Sequence, residues 1–535
     1  MPTLQFKGKS VVQNHHLNVK YHELIPLPEK SLTDSVRLND NLIIHGDNLI
    51  ALKALLPTYA GKVKCIYLDP PYNKGSENWA YNDNVNSPMI REWLGKVVDR
   101  EDLTRHDKWL SMMTPRLNVL RQLLSDEGTI FISCDDSEQH HLRMLMDEIF
   151  GEKSFIANLI WKSRENVDSR TKNGVSRDHE YIVVYSLQSN GKLRGGNKDM
   201  NKYANPDDDP RGPWMSDNMV GLATQEQRPN LHYDITHPQT GIIYSCPAMG
   251  WRYERKRMSE LIANNEVIFP SKPEGRPRRK KFLNDLLSEF TGFSSLLSAS
   301  YTSSGTRELR EIFGGDEVFD FPKPSELIMQ LINQATGTND ESIILDSFAG
   351  SGTTAHAVLA LNQQDGGHRR FILVEMEDYA DTITAERVRR VIHGVPDAKN
   401  ETLREGLPGT FSYFELGQPL DIDQMLTGDY LPPYRELARY VFYTATGEEF
   451  HPEAVDEDRF FIGESAGYLV YLLYRPDRDF LKTTALNRAF ADGLGPWTGK
   501  TRLVFAPMKY LDDPFCHAAH IAYAQLPYEL YRTRR

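Results

Sequence analysis

The sequence predicts an α/β fold with a mostly parallel sheet. Short apolar runs alternate with helical stretches between residues 42 and 150, and the same alternation returns between residues 325 and 375. Several of these runs end in turns that hold acids or glycines, which are typical of the ligand-binding edge of an open α/β sheet. A loop-rich region lies between the two alternating segments, which predicts an inserted domain.

The composition is that of an ordinary globular protein. The 535 residues are 40% hydrophobic and 25% charged, and this length suits about three or four domains. The net charge of −12 argues only weakly against nucleic-acid binding, because basic residues can gather on one face. No apolar run approaches the ~18 residues of a membrane span, so we expect a cytoplasmic protein without membrane contact.

The cysteines argue against a metal site. Four occur, far apart and without a CxxC pair, at Cys65, Cys134, Cys246 and Cys516. This usage is typical of a reducing cytosol and of neither a zinc site nor a disulfide scaffold. We therefore expect no metal.

Changes in composition and in the pattern of predicted elements divide the chain into five predicted regions. Two α/β halves flank the loop-rich region, a polar arm precedes them, and a small α+β domain follows. The boundaries are 1–40 for the N-terminal arm, 41–154 for the first half, 155–318 for the loop-rich region, 319–400 for the second half and 401–535 for the C-terminal domain.

The first predicted strand ends in a Gly-Asp turn. Residues 42–45 are apolar, Gly46 and Asp47 follow, and a helix continues through Leu49, Leu52 and Leu55. Asp47 has two open roles: it accepts hydrogen bonds from the adenine ring of a cofactor, or it caps the helix.

The next predicted strand ends in Asp69-Pro70-Pro71-Tyr72. Because prolines have no N–H and a fixed φ, the chain must leave the sheet in a stiff, extended turn whose carbonyls can face a ligand. A carboxylate, a carbonyl oxygen and an aromatic ring then surround one small space beyond the end of a strand.

This arrangement suits alkylation of an exocyclic amine on a base. Such an amine is a poor nucleophile, and two acceptors, the Asp69 carboxylate and the Pro70 carbonyl, would localise its lone pair and stabilise the developing charge. Tyr72 would stack on a base turned out of a duplex. The alternative is a strand-to-loop turn with a surface aspartate.

A polar loop, a helix and a third strand follow this turn. Residues 73–83 are either a lid over the substrate or an irregular surface loop. The apolar spacing predicts a helix over 107–124, a strand over 128–133 and a helix over 137–150.

Basic residues concentrate in the loop-rich region. Ten lysines and arginines stand against four acids between residues 250 and 281, which favours a phosphate-binding face over a solvated charged surface. The candidate DNA-binding residues are Arg252, Arg255, Arg257, Arg276, Arg278, Arg279, Lys280 and Lys281.

The second α/β half carries a glycine turn. A predicted strand over 342–346 leads into Ser347-Phe348-Ala349-Gly350-Ser351-Gly352-Thr353-Thr354 and then a helix. Glycines let the backbone approach a ligand, and the lack of Gly-Lys-Ser/Thr excludes a P-loop. Glu375 ends the next strand, where such folds bind a ribose diol. Together these features indicate an adenosine-bearing cofactor.

These motifs resemble those of S-adenosylmethionine-dependent amino-methyltransferases of DNA in their β arrangement. In that arrangement the DPPY motif comes first and the FxGxG motif last, as do Asp69–Tyr72 and Phe348–Gly352 here, with the basic region between them. The resemblance covers most of 40–400 and is greatest to the Mod subunits of type III restriction–modification systems; 401–535 resembles them only loosely. It implies a Rossmann-like methyltransferase fold with circularly permuted motif order and 155–318 as an inserted target-recognition domain.

The resemblance also implies roles for individual residues. Asp69, Pro70 and Tyr72, within the motif that includes Pro71, would hold a flipped-out adenine. The residues implied in binding S-adenosylmethionine are Asp47, Phe321, Lys323, Pro324, Asp346, Phe348, Gly350, Gly352, Thr353 and Glu375. Asp rather than Ser at position 69 favours adenine N6 over cytosine N4 in this family.

The leading hypothesis is a site-specific adenine-N6 methyltransferase of double-stranded DNA that works as the modification subunit of a restriction system. By resemblance we expect a homodimer, and a nuclease-helicase restriction subunit is a candidate partner. The alternatives are a cytosine-N4 or RNA amino-methyltransferase and a catalytically silent recognition subunit. A nucleotide-dependent oxidoreductase would leave Asp69–Tyr72 unexplained.

Overall fold

The computed structural model describes residues 3–73, 104–171, 173–286, 290–337 and 341–526. The chain forms two compact units. The first unit comprises Met1–Arg194 and Ser294–Arg535, and the second comprises Gly195–Phe293. Of the loop predicted over 73–83, only Asn73 is among the described residues.

The strands are short, as is typical of globular domains. In chain order they are β1 (His22–Pro26), β2 (Leu42–His45), β3 (Val63–Leu68), β4 (Leu124–Cys134), β5 (Phe155–Lys162), β6 (His179–Ser186), β7 (Gly196–Asn197), β8 (Trp214–Asn218), β9 (Ile235–Thr236), β10 (Ile243–Tyr244), β11 (Val267–Ile268), β12 (Arg278–Phe282), β13 (Phe290–Thr291), β14 (Leu296–Leu297), β15 (Ile343–Asp346), β16 (Arg370–Glu375), β17 (Ser412–Pro419), β18 (Phe461–Glu464), β19 (Tyr468–Leu472), β20 (Thr501–Ala506) and β21 (Ile521–Gln525).

The helices connect and cover these strands. In chain order they are α1 (Lys9–Val12), α2 (His15–Asn18), α3 (Asn48–Tyr59), α4 (Arg105–Leu123), α5 (Gln139–Phe150), α6 (Arg255–Ala263), α7 (Thr302–Ile312), α8 (Ser325–Ala335), α9 (Thr353–Asp365), α10 (Glu386–His393), α11 (Glu401–Glu405), α12 (Ile422–Thr427), α13 (Tyr434–Thr446), α14 (Arg478–Thr483), α15 (Arg488–Gly493) and α16 (Asp513–Ala518). A π-helical turn, Asp381–Ala385, leads into α10.

A ten-stranded sheet forms the centre of the first unit, in the order β1-β17-β2-β16-β15-β3-β4-β6-β5-β14. From β17 to β4 all neighbours are parallel, whereas β6 runs antiparallel to β4 and β5. The strand before the glycine turn, β15, lies directly beside β3, although it follows β3 by more than 270 residues in the sequence. The predicted mostly parallel sheet with permuted motif order is therefore confirmed.

The central strands are buried on both faces, which explains their nearly continuous apolar sequences. All four residues of β15 are buried, and so are five of the six in β3. Helix α3 packs against α4, and α8 packs against α9. The bounds of α4, β4 and α5 match the helix–strand–helix that the sequence predicts over 107–150 to within a few residues.

The first and last segments of the chain also contribute to the first unit. Strand β1 pairs with β17, so residues from both predicted terminal regions lie in the large sheet. A second sheet, β18-β19-β20-β21, holds the two strands that the sequence predicts near Tyr468 and Thr501. Its residues Val470, Leu472 and Leu503 share one hydrophobic core with the large sheet.

The second unit, Gly195–Phe293, lies inside the predicted 155–318 region and has its own small core. Strands β11, β12 and β8 form an antiparallel sheet. The buried residues Met219, Trp251, Met258 and Leu261 pack together between α6 and the nearby loops. The functional boundaries at 155 and 318 stay predictions.

No helix within the described ranges is long and apolar enough to cross a membrane.

Candidate functional site

The Asp69–Tyr72 turn lies at the carboxyl end of β3, in the middle of the ten-stranded sheet. The indole N–H of Trp109 on α4 donates to the Pro71 carbonyl at 2.7 Å and fixes the turn. Within the described residues, no hydrogen bond reaches the Pro70 carbonyl, and Pro70 lines the cleft at this edge. Asp69 and Pro70, which carry the two acceptors that the sequence predicts, thus both line the cleft.

Lys323 occupies the space in front of this turn. Its ammonium donates to Asp69 Oδ1 at 2.9 Å and to Oδ2 at 2.7 Å. It also lies 4.9 Å from the centre of the Tyr72 ring and 3.7 Å from Glu180 Oε2. Burial alone would lower the pKa of Lys323, but the Asp69 and Glu180 carboxylates raise it above its usual value. The ammonium is therefore charged.

Glu180 is a site residue that the sequence analysis missed. It accepts a hydrogen bond from the Tyr72 hydroxyl at 2.9 Å, and burial followed by the nearby Asp69 and Glu180 charges raises the pKa of Tyr72 well above its usual value. Because β6 runs antiparallel to β4, its first residues lie at the edge where the parallel strands end. The only sign of this role in the sequence was the position of Glu180, an acid near the start of the predicted strand over 179–185.

A cleft of about 1790 Å³ runs along this edge of the sheet. That volume exceeds the ~300–1,000 Å³ of a site for one small molecule, so the cleft has the volume for two ligands. Ten predicted site residues line it: Asp47, Asp69, Pro70, Pro71, Tyr72, Phe321, Lys323, Phe348, Gly350 and Glu375. Four others do not: Pro324, Asp346, Gly352 and Thr353.

The glycine turn between β15 and α9 requires its glycines. Gly350 and Gly352 have φ values of 52° and 77°, a left-handed conformation that other residues rarely adopt. A Cβ at Gly352 would lie 2.8 Å from the Thr384 carbonyl oxygen. Gly350 lines the cleft, whereas Gly352 does not and packs against the backbone of Thr384.

Glu375 ties this turn to the end of β16. Its carboxylate accepts the N–H of Gly350 at 2.7 Å, of Met376 at 2.9 Å and of Glu377 at 3.0 Å. Burial raises the pKa of Glu375, and these N–H donors oppose that shift. The carboxylate is thus held rigidly at the cleft wall by backbone donors.

Asp346, at the end of β15, acts from behind the turn. It is buried, and its two oxygens accept from the Phe348 N–H at 3.0 Å and from the Thr354 hydroxyl at 2.5 Å. Burial raises the pKa of Asp346 from 3.8 to about 7 despite these two bonds. The geometry gives Asp346 a role in shaping the turn on which Phe348 reaches the cleft.

The raised pKa of Asp346 predicts a pH-dependent stability. Between about pH 4 and 7 the folded chain keeps a proton that the unfolded chain has lost, so this contribution to stability falls as pH rises from about 4 to 7 and is constant above 7. Asp346→Asn cannot titrate at this position. From pH 5 to pH 8 its free energy of unfolding should therefore rise by a few kcal/mol relative to that of wild type, and its melting temperature should rise accordingly. Differential scanning calorimetry measures this. A pH-independent difference between Asp346→Asn and wild type would contradict the prediction.

Thr353 and Asp47 have structural partners. The Thr353 hydroxyl accepts from Arg387 at 2.7 Å, and Arg387 also donates to Ser351 at 3.1 Å. The buried Arg387, which the sequence analysis missed, therefore holds the glycine turn from behind. Asp47 accepts from the Ile50 N–H at 3.0 Å, so it caps α3 while its side chain borders the cleft.

One predicted DNA-binding residue is placed where it cannot reach a phosphate. Lys280 on β12 is 3% exposed and pairs with Asp207 and, at 3.0 Å, with Asp209. Alternation along the strand turns Lys280 inward beside Phe282. Its inclusion in the DNA-binding set was therefore wrong, because side chains on a strand point to alternate faces.

The other predicted DNA-binding residues remain at least partly exposed in the second unit. Arg252, Arg257 and Arg279 each have an acidic partner, respectively Asp217 at 3.8 Å, Glu260 at 2.9 Å and Glu266 at 3.1 Å. Arg278 bonds to Ser216. Arg255, Arg276 and Lys281 are exposed, and none of them has an ion-pair partner within the described part of the chain.

A histidine–glutamate cluster lies next to the residue that follows the Asp69–Tyr72 turn. The fully buried Glu138 accepts from His106 at 2.6 Å, from His141 at 2.9 Å and from the Asn73 amide at 2.5 Å. Two histidines and a carboxylate form a donor set that divalent metals use. Here, however, both carboxylate oxygens are already hydrogen-bonded, and the expectation of no metal stays a prediction.

Comparison with known proteins identifies relatives of this chain. A family profile described as DNA methylase, N6_N4_Mtase, matches residues 63–386. The Mod subunit of the type III restriction–modification enzyme StyLTI from Salmonella typhimurium is 31% identical over 474 residues, which cover 82% of this chain and 70% of that protein. The EcoP15I Mod subunit from Escherichia coli is 30% identical over 391 residues, which cover 64% of this chain and 59% of that protein.

A solved structure, the PvuII DNA methyltransferase (cytosine-N4-specific), matches 65% of this chain and 86% of its own, with 13% identity and a TM-score of 0.33. The family profile covers more than half of the chain, from the start of β3 to the start of α10. It contains both the proline turn and the glycine turn. The chain belongs to the DNA methylase family.

Proposed function

We propose that this protein is a site-specific DNA methyltransferase that transfers a methyl group from S-adenosylmethionine to N6 of a flipped-out adenine. It would act as the modification subunit of a type III-like restriction–modification system. The observation that supports this best is the shared cleft: the Asp69 carboxylate, the Pro70 carbonyl and the Tyr72 ring border it together with Gly350 and Glu375.

The proposed chemistry needs two hydrogen-bond acceptors at the amine. Asp69 and the Pro70 carbonyl would accept its two N–H groups, localise the nitrogen lone pair and stabilise the positive charge that develops on nitrogen. Tyr72, held by Glu180 through its hydroxyl, would stack on the base. Positioning and charge stabilisation then supply the rate, because the activated methyl group comes with the cofactor.

The cofactor would lie along the glycine turn. Gly350 offers a wall without a Cβ, Phe348 an apolar face and Glu375 a carboxylate suited to a ribose diol. Bound S-adenosylmethionine supplies an electrophilic methyl group. Phe321, which is exposed and lines the same cleft, would add a second aromatic contact to the cofactor.

We propose adenine N6 as the methylated atom because residue 69 is an aspartate and because the relatives include Mod subunits. The same two acceptors would serve the N4 amine of cytosine, which remains the second candidate. The Mod-subunit relatives support a restriction subunit as a partner. A homodimer and a cytoplasmic location are further parts of the proposal.

Single-molecule sequencing of DNA from cells that express this chain tests the proposal. We expect N6-methyladenine at one recurring sequence, and no mark in cells that express Asp69→Ala. Methylated cytosine in place of methylated adenine would show that cytosine is the target base. Unmodified DNA in both strains would refute methyl transfer by the chain alone.

The exposed cations of the second unit predict a salt effect. Replacing Arg276 and Lys281 together by alanine should remove two phosphate contacts and reduce the slope of log K against log salt by about 1.8. Titrations with a fluorescent duplex between low and moderate salt measure this slope. Arg257→Ala, whose guanidinium pairs with Glu260, is the matched control and should change the slope less. An unchanged slope in the double variant would place the phosphate-binding face elsewhere.

A further inference from the structure

Lys323 has a partner that its expected role does not explain. The resemblance assigns it to the cofactor, yet its ammonium contacts both oxygens of Asp69, at 2.7 and 2.9 Å. Its side chain is only 10% exposed, so this contact is an enclosed ion pair rather than a surface one. A charged donor of this kind is a stronger partner for Asp69 than water.

The ammonium and a target base would compete for the same place. A base amine would donate to the Asp69 carboxylate, whose oxygens both already bind Lys323. A stacked base would cover the ring of Tyr72, and the ammonium lies 4.9 Å from the centre of that ring. The ammonium therefore competes with a base amine for the Asp69 oxygens, and it lies beside the ring on which the base would stack.

Glu180 offers the displaced ammonium a second carboxylate. It lies 3.7 Å from Lys323 Nζ, and a shift of about 1 Å would bring the pair to the ~2.8 Å of a direct charge-assisted hydrogen bond. The Tyr72 hydroxyl holds Glu180 in position at 2.9 Å. Lys323 can thus leave Asp69 without losing a counter-ion, which matters because an unpaired buried charge is costly.

We propose that Lys323 is a displaceable counter-ion, a positioning residue that fills the base pocket and moves from Asp69 to Glu180 when a base amine enters. This inference rests on the proposed function. The amine replaces the donors that Asp69 loses, whereas a base with a carbonyl at that position would set two acceptors against each other. Entry is consequently favoured for a group that brings an N–H donor to Asp69.

The first test compares two duplexes that carry the sequence mapped by sequencing. One is intact, and the other has an abasic site in place of the target base. Lys323→Met keeps the length of the side chain and removes its charge. We expect this variant to bind the intact duplex about tenfold more tightly relative to the abasic duplex than wild type does, because only the intact duplex must displace the ammonium. Calorimetric melting of Lys323→Met and Lys323→Gln verifies that the variants fold.

The second test is a double-mutant cycle with Glu180→Gln. In the presence of Lys323 this change should lower kcat/KM about tenfold, since the ammonium then lacks its second partner. In the Lys323→Met background it should have an effect below about twofold. A purely structural role of Glu180 beneath Tyr72 would reduce kcat/KM equally in both backgrounds.

Either of two outcomes would overturn the proposal: an equal change of affinity for both duplexes, or an equal effect of Glu180→Gln in both backgrounds. Failure of the proposed function would be seen earlier, in wild type that marks no DNA, and would remove the basis of both proposals.

Discussion

Asp69→Asn is expected to reduce methyl transfer by at least about 10²–10³-fold, the usual loss when one charged group that stabilises a transition state is removed. The amide keeps the shape of the side chain but presents its own N–H donors where the amine needs an acceptor. Cofactor affinity should stay within about threefold, because the glycine turn and Glu375 are unaltered. Single-turnover transfer of a labelled methyl group and equilibrium binding of S-adenosylmethionine measure the two quantities.

The control for this prediction is Asp136→Asn. Asp136 follows the neighbouring strand β4, is exposed and does not line the cleft. It should retain wild-type turnover, and an active Asp69→Asn enzyme would exclude the proposed mechanism.

Glu375→Ala is expected to weaken S-adenosylmethionine binding by about 100-fold. The variant loses the carboxylate proposed for the ribose diol, and it leaves the N–H groups of Gly350, Met376 and Glu377 without their acceptor, so the glycine turn loosens. Isothermal titration calorimetry measures the affinity. Saturating cofactor should restore part of kcat, since the proline turn is intact.

Asp378→Ala provides a matched control for Glu375→Ala. It removes the same charge from the same connection, at an exposed position outside the cleft. Its affinity should equal that of wild type. A Glu375→Ala protein that binds cofactor normally would show that the cofactor site lies elsewhere.

The parts of the fold that the sequence predicts are those with local patterns. The apolar runs of β3 and β15, the prolines after Leu68 and the glycines at 350 and 352 each impose a conformation through their own residues. Parallel strands end at one edge of a sheet, so residues that follow such strands are expected to lie near each other. Asp69, Gly350 and Glu375 do line the same cleft.

Individual side-chain contacts between segments that are distant in the sequence were not predicted. Lys323 lies 254 positions from Asp69 in the sequence, and the Tyr72–Glu180 pair is 108 apart. No local pattern specifies such pairs, since they depend on how strands and helices are arranged in space. Lys280 failed for a related reason: in a run of four basic residues, only the orientation of the strand decides which side chain is buried.

The strand order also has a consequence for how the chain folds during synthesis. In the finished sheet, β16 and β15 lie between β2 and β3, so the first two strands of the α/β part are separated by roughly 14 Å. A ribosome releases β3 more than 270 residues before its neighbour β15, and β2 more than 320 residues before its neighbour β16. Until then each of the two strands presents an unpaired apolar edge. Such edges promote aggregation and slow folding. The protein therefore depends on its last third to complete a sheet begun in its first, and truncated or stalled chains should be prime substrates for chaperones.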